Sequence, residues 1–287
     1  MLLTQMMVQP MSLFNKLLIA ATVLGLLFPG PGIAVAAFSL VPLSISMFFS
    51  ILASRTKIQL DFSGVEKGVV YSYVALTGSM VLASFFMPDG LRQGLIMYAL
   101  FPPAVSVLVL TRHWGGKSHE VFAFQVLSYS LSILLVPIAA YFLLGGVVDP
   151  TTLFVQLMLA FILPGAISLF IKVDDKELMA DLSAVFLAIL FYIMMAKSQP
   201  WVVANWQMLL LYMVPLGLLN AAIGYWAYRT TKDPDATLYA LFKNGGAAAG
   251  VSIGVLAPAA IAMISAKTFV DVALILGFGR LWQKRTS

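Results

Sequence analysis

Ten apolar stretches, separated by short polar connections, fill this 287-residue chain. A window of about 19 residues places them near 13–28, 33–53, 69–87, 91–111, 121–144, 152–171, 177–196, 202–228, 236–256 and 259–281. A helix rising 1.5 Å per residue needs about 20 such residues to cross a hydrocarbon layer of about 30 Å. The pattern therefore predicts membrane-spanning helices. Two of the stretches are broken internally, one at Phe101-Pro102-Pro103-Ala104 and the other at Lys243-Asn244-Gly245-Gly246. Proline lacks an N–H and glycine weakens a helix, so each site is expected to interrupt its span. A broken span leaves backbone N–H and C=O groups without partners. A bilayer tolerates them only where they are buried in protein or line a wet cavity, as at the substrate sites of transporters.

The two halves of the chain resemble one another. Leu27-Phe28-Pro29-Gly30 closes the first span, and Ile162-Leu163-Pro164-Gly165 lies in the sixth. The break follows 73 residues after Pro29 in the first half (at Pro102) and 80 residues after Pro164 in the second (at Asn244). These matches divide the chain into repeats at 1–147 and 148–287. Five spans is an odd number, so the second repeat is expected to be inverted relative to the first. With both ends on one side, 13 of the 17 Lys and Arg residues collect on that side. Arg92 and Lys197 fall on the other, and Lys243 and Lys267 within spans. The bias puts both termini in the cytoplasm. The expected fold class is an all-α membrane protein with ten transmembrane helices in two inverted five-helix repeats, helices four and nine being broken and crossing.

Composition narrows the chemistry. Hydrophobic residues make up 61% of the chain and charged ones 10%, against roughly 25% charged in soluble domains. Cysteine is absent, which excludes disulfides, thiolate metal sites and cysteine nucleophiles. The net charge of +5 sits in short loops and does not form a patch, so nucleic acid is not an expected partner. Residues 1–16 lack the basic start and small-residue cleavage site of a signal peptide. Gly-x-Ser-x-Gly and His-Glu-x-x-His are missing, which leaves no motif for an intramembrane enzyme.

At the breaks the chain resembles the bile acid/sodium symporter family and its wider superfamily. Phe101-Pro102-Pro103-Ala104-Val105-Ser106 stands where that family has Pro-Gly-Gly-Thr-Ala-Ser. Asn244-Gly245-Gly246-Ala247-Ala248-Ala249 stands where it has Asn-Ser-Gly-Leu-Ala-Ala. The stretch 116–137 aligns without gaps, and Ala222-Ile223-Gly224-Tyr225 also matches. The Pro-Pro-Ala break is similar, too, to that of auxin-efflux-type carriers. The resemblance implies ten spans, crossing helices and secondary transport. It also exposes departures. Positions that hold sodium ligands in the family are Val107, Leu108, Val121, Gln125, Tyr239 and Lys243 here. Sodium needs oxygen ligands, and Val and Leu offer none. Lys243 is therefore expected to occupy the cation's place and to supply its charge permanently.

The remaining intramembrane polar groups complete the candidate site. Lys267 and Asp271 lie four residues apart on the tenth span, where they can pair. Such a pair either holds the helix in the bundle or couples transport to protons. Gln125, Ser128 and Ser132 share one face of the fifth span. Asp181, Glu120, His119 and His113 lie near span ends, where water is expected to solvate them, and Trp201, Trp206, Trp226 and Trp282 fit an aromatic belt. The expected substrate site comprises Pro102, Pro103, Ser106, Gln125, Ser128, Lys243, Asn244, Gly245 and Gly246, with Lys243, Lys267 and Asp271 as coupling residues. Two half-helix N-termini and a lysine make it electropositive. The expected function is secondary transport of a small organic anion, a carboxylate above all, without sodium, metal or cofactor. The plasma (inner) membrane is the expected location, and a homodimer is compatible with the sequence but not required. The rival readings are a sodium symporter built from other ligands and a non-transporting membrane sensor.

Overall fold

A computed structural model describes residues 13–54 and 61–286. Helix accounts for 84% of the structure, and the described residues contain no strand. Five helices are long and apolar enough to cross a membrane: Ala36–Ala53, Ser118–Leu143, Pro150–Ser168, Lys176–Thr231 and Pro258–Gly279. The chain is a helical membrane protein. Residues 55–60, which carry two of the charges used for orientation, lie outside the described residues.

Helix α1 is Leu13–Leu27 and α2 is Leu40–Ser54, with the short helix Pro29–Ala34 between them. Helix α3 covers residues 65–84 and is π-helical over Val69–Thr77. Helices α4 (Asp89–Leu100) and α5 (Ser106–His113) are separated by the first break. Helix α6 is Ser118–Leu143. Helix α7 is Pro150–Ser168, with π-helical turns over Met158–Ile162, just ahead of Pro164. Helix α8, Lys176–Thr231, has 56 residues. Helices α9 (Pro234–Leu241) and α10 (Gly245–Ser252) flank the second break, and α11 is Pro258–Thr286.

At 1.5 Å per residue, α8 would be about 84 Å long if straight, close to twice a bilayer with its headgroups. The backbone leaves helical geometry at Asn205 (φ −132°, ψ 23°), so α8 is two helices meeting at a kink. Sequence patterning places that boundary at 197–201, but the helix runs on through Pro200. Asn205 Nδ2 donates to the Trp201 carbonyl at 3.0 Å, which ties down the turn before the kink. The first part of α8 packs on α1, where a Cβ on Gly25 would meet Met195 and the Tyr192 carbonyl. The second part packs on α11, with Gly217 against Val270.

Burial separates a centre from a rim. Every residue of α10 is buried, as are Asp235 to Leu241 of α9 and Leu95 to Ala99 of α4. Leu131, Leu134, Leu135, Ile138 and Phe142 on α6 are exposed. An apolar face of that size belongs against lipid. The broken helices thus lie inside, and the continuous ones surround them.

At one end of the bundle, residues near 67, 117–120 and 233–235 form a charged cluster. Lys67 pairs with Asp233 at 2.6 Å and Lys117 with Glu120 at 2.6 Å, while Lys67 also lies 3.7 Å from Glu120. The Lys117 N–H donates to Asp235 Oδ2 at 2.9 Å. Glu120 is only 3% exposed, which corrects its expected place in water. Two solvent-reaching lysines, Lys67 and Lys117, close over it and replace part of its hydration.

Candidate functional site: the meeting of two helix breaks

The first break begins because Phe101 precedes a proline and takes an extended conformation (φ −69°, ψ 149°), as sterics before proline dictate. Neither Pro102 nor Pro103 has an N–H, so carbonyls of the last turn of α4 lose their helical partners. Four carbonyls around the break are served from elsewhere. Thr77 Oγ1 on α3 donates to the Ala99 carbonyl at 2.8 Å. Tyr129 Oη on α6 donates to the Pro103 carbonyl at 3.0 Å, and Gln125 Nε2 to the Ala104 carbonyl at 2.7 Å. The Pro102 carbonyl accepts from the Asn244 N–H at 2.9 Å. That last bond runs directly from one break to the other.

The second break is organised by Asn244. Its Oδ1 caps α10 by accepting from the Ala247 N–H at 2.9 Å, and its Nδ2 donates to Tyr129 Oη at 2.6 Å. Asn is among the best residues for such a cap. Gly245 has no room for a side chain, since a Cβ there would collide with Thr268 Oγ1 and Tyr98. Gly246 is similarly limited by Leu187. The glycines after Asn244 are thus required by close approach as well as by the break.

Lys267 and Asp271 form an ion pair on α11 with both side chains wholly buried. Asp271 also accepts from Tyr98 Oη on α4, and from Asn220 Nδ2 on α8 at 2.8 Å. The same Asn220 amide donates to the Leu241 carbonyl at 3.2 Å, where α9 ends. One carboxylate therefore ties α11, α4 and α8 together beside both breaks.

Lys243 differs. It is 0% exposed, and its Nζ has no hydrogen-bond partner among the described residues. Its contact is the face of Tyr73, with Nζ 4.3 Å from the ring centroid. Asp271 is already occupied by Lys267, Tyr98 and Asn220. The crossing thus holds two lysines and one carboxylate, and one amine has no counter-charge. A buried ammonium without a partner costs several kcal/mol.

The sequence-derived site is partly assembled. Pro102, Pro103, Asn244, Gly245, Gly246 and Lys243 meet at the crossing, with Lys267 and Asp271 beside them. Gln125 and Ser128 are buried on α6, but both are engaged with backbone: Gln125 holds the first break, and Ser128 Oγ donates to the Gln125 carbonyl at 3.0 Å. Ser106 starts α5 and is exposed, away from the buried cluster around Lys243. Tyr73, Tyr98, Tyr129 and Asn220 were not legible as site residues. Val107, Leu108, Val121 and Tyr239 are buried in one apolar cluster.

No protein-family model matches the chain, and a search of curated proteins finds no relative.

Proposed function

We propose that this chain is a secondary transporter of a small organic anion, most naturally a carboxylate, working by alternating access and without sodium. The observation that carries the reading is the Lys243 amine, wholly buried between two joined helix breaks and lacking any hydrogen-bond acceptor among the described residues. A carboxylate placed there would supply both the missing charge and the missing acceptor. The apolar lining at Val107, Leu108 and Val121 offers no oxygen cage for sodium. Lys243 stands in for that ion.

The wider arrangement belongs to the same proposal. Counting α4–α5 and α9–α10 as one broken span each, and α8 as two spans, yields ten. They fall into repeats 1–147 and 148–287, inverted by their odd span number. Rocking of one bundle against the other about the hydrogen-bonded breaks would open the site to each side in turn. The lysine and arginine bias favours both termini in the cytoplasm, in a plasma (inner) membrane setting. The resemblance to bile acid/sodium symporters points the same way.

The test is uptake of labelled acetate, lactate, benzoate and succinate into proteoliposomes, with sodium replaced by choline and with pH gradients imposed separately. The reading expects uptake of at least one of these anions at equal rates in sodium and choline. Uptake that requires sodium would favour a symporter with rebuilt ligands. An absence of uptake for the whole panel would count against transport of small carboxylates and favour a non-transporting role.

A further inference from the structure

Tyr73 lays its ring face over the Lys243 amine, with Nζ 4.3 Å from the centroid, and it does so from an irregular part of its helix. Residues Val69–Thr77 of α3 are π-helical, yet this segment contains no proline to cause it. Single π-helical stretches are uncommon and gather at functional sites, because the extra residue per turn is easily gained or lost. Within the segment, Thr77 Oγ1 lies 3.0 Å from the Ser72 carbonyl and 2.8 Å from the Ala99 carbonyl. A hydroxyl has one proton to give. Thr77 can therefore serve the turn that carries Tyr73 or the end of α4 at the first break, but not both fully at once. The same turn leaves Ser72 Oγ buried without a partner.

The Tyr73 ring also makes an edge contact with Phe124, at a centroid distance of 6.2 Å. Its own exposure is intermediate, whereas Lys243 beneath it has none. The ring is a cover that reaches towards the surface. It satisfies the amine only weakly, through its π face, and offers no acceptor comparable to a carboxylate.

We propose that Tyr73 is the gate of the anion site: its ring holds Lys243 when no substrate is present, and the substrate carboxylate takes the amine by displacing the ring as the π-helical turn of α3 rearranges. The proposal rests on the anion-transport reading and adds a specificity-determining residue to it. Any anion must compete with the ring for the same ammonium face. Small, concentrated charge wins that competition, and a bulky anion with delocalised charge does not. Thr77 connects the exchange to the first break, because release of its bond to Ser72 strengthens its bond to Ala99.

The experiment compares wild type, Tyr73→Phe and Tyr73→Leu in proteoliposomes, using the acetate, lactate, benzoate and succinate panel. Tyr73→Phe keeps the ring and should keep the wild-type KM within about twofold. Tyr73→Leu removes the competitor and should lower KM about tenfold, equivalent to about 1.4 kcal/mol. In Lys243→Ala/Tyr73→Leu that gain should vanish. A second readout needs no substrate. Purified protein is treated with formaldehyde and dimethylamine–borane, and methylation of Lys243 is followed by mass spectrometry. Lys243 should react at least tenfold faster in Tyr73→Leu than in wild type or Tyr73→Phe, with lysines outside the membrane as internal standards. Unchanged methylation together with an unchanged KM in a folded Tyr73→Leu protein would overturn the gate while leaving anion transport standing. Faster methylation with no uptake of any panel anion by wild type would instead overturn the transport reading, and the substrate-displacement step with it.

Discussion

Replacing Asp271 by asparagine tests how charge is balanced at the crossing. Asp271 accepts from Lys267, Tyr98 and Asn220, and all of its side chain is buried. Asp271→Asn keeps the shape and one acceptor but removes the counter-charge of Lys267. That leaves two ammonium groups in a dry core, Lys267 and Lys243. Breaking a buried pair from one side costs about 3–5 kcal/mol. At roughly 2–4 °C per kcal/mol for chains of this order, the melting temperature in detergent should fall by about 10 °C. The second arm is Lys267→Met/Asp271→Asn. It removes both charges at nearly constant volume, and buried pairs replaced in this way are often neutral in stability. The double variant should recover most of the loss, and its anion uptake should recover with it. Intrinsic fluorescence melting of the three proteins measures this directly. If Asp271→Asn melts within about 2 °C of wild type, Asp271 is not the counter-charge. If the double variant is no better than the single one, the charge argument fails. If it is stable but loses pH-driven accumulation alone, the pair carries protons and is more than an anchor.

Other expectations follow from single contacts. Gly245→Ala forces a Cβ into Thr268 Oγ1 and Tyr98; overpacking of this kind costs about 1–3 kcal/mol, and Thr268→Ala should relieve part of it in a melting assay. Asp149 caps α7 by accepting from the Thr152 N–H at 2.7 Å, and its carboxyl is held below the usual 3.8 by its hydrogen bonds from the Thr152 hydroxyl and backbone. A lowered carboxyl stabilises the fold above its unfolded value, and the benefit is lost as pH falls through the folded one. Asp149→Asn, whose amide caps at any pH, should therefore narrow the difference in melting temperature between about pH 6 and about pH 3.

Parts of this architecture are legible in the sequence because they depend on local chemistry. Two prolines without N–H groups and an Asn-Gly-Gly run mark the breaks wherever the surrounding helices lie. Lys267 and Asp271 find each other because four residues make about one helical turn. The contacts that complete the site depend on packing between distant segments. Tyr98 and Asp271 are 173 residues apart, and Tyr129 and Asn244 are 115 apart; no periodicity links them. Gln125 and Ser128 share the face that spacing predicts, but their polar groups go to backbone, Gln125 to the Ala104 carbonyl beside the prolines and Ser128 to the Gln125 carbonyl within α6. That demand becomes visible only once each orphan carbonyl is traced to a donor. Glu120 misleads in the same way, because Lys67 approaches from another helix. Sequence patterning puts the boundary inside α8 at 197–201, yet the chain bends at Asn205, whose side chain bonds the preceding turn.

The central claim is that Lys243 supplies the positive charge that holds the substrate anion. It is tested by initial uptake rates of the best-transported panel carboxylate in proteoliposomes containing wild type or Lys243→Ala, each in sodium and in choline. Losing a buried ion pair of about 3–5 kcal/mol predicts a fall in kcat/KM of at least about a hundredfold in Lys243→Ala, with melting temperature preserved and wild-type rates equal in the two salts. A folded Lys243→Ala protein that transports like wild type, or wild-type uptake that stops in choline, would contradict the account.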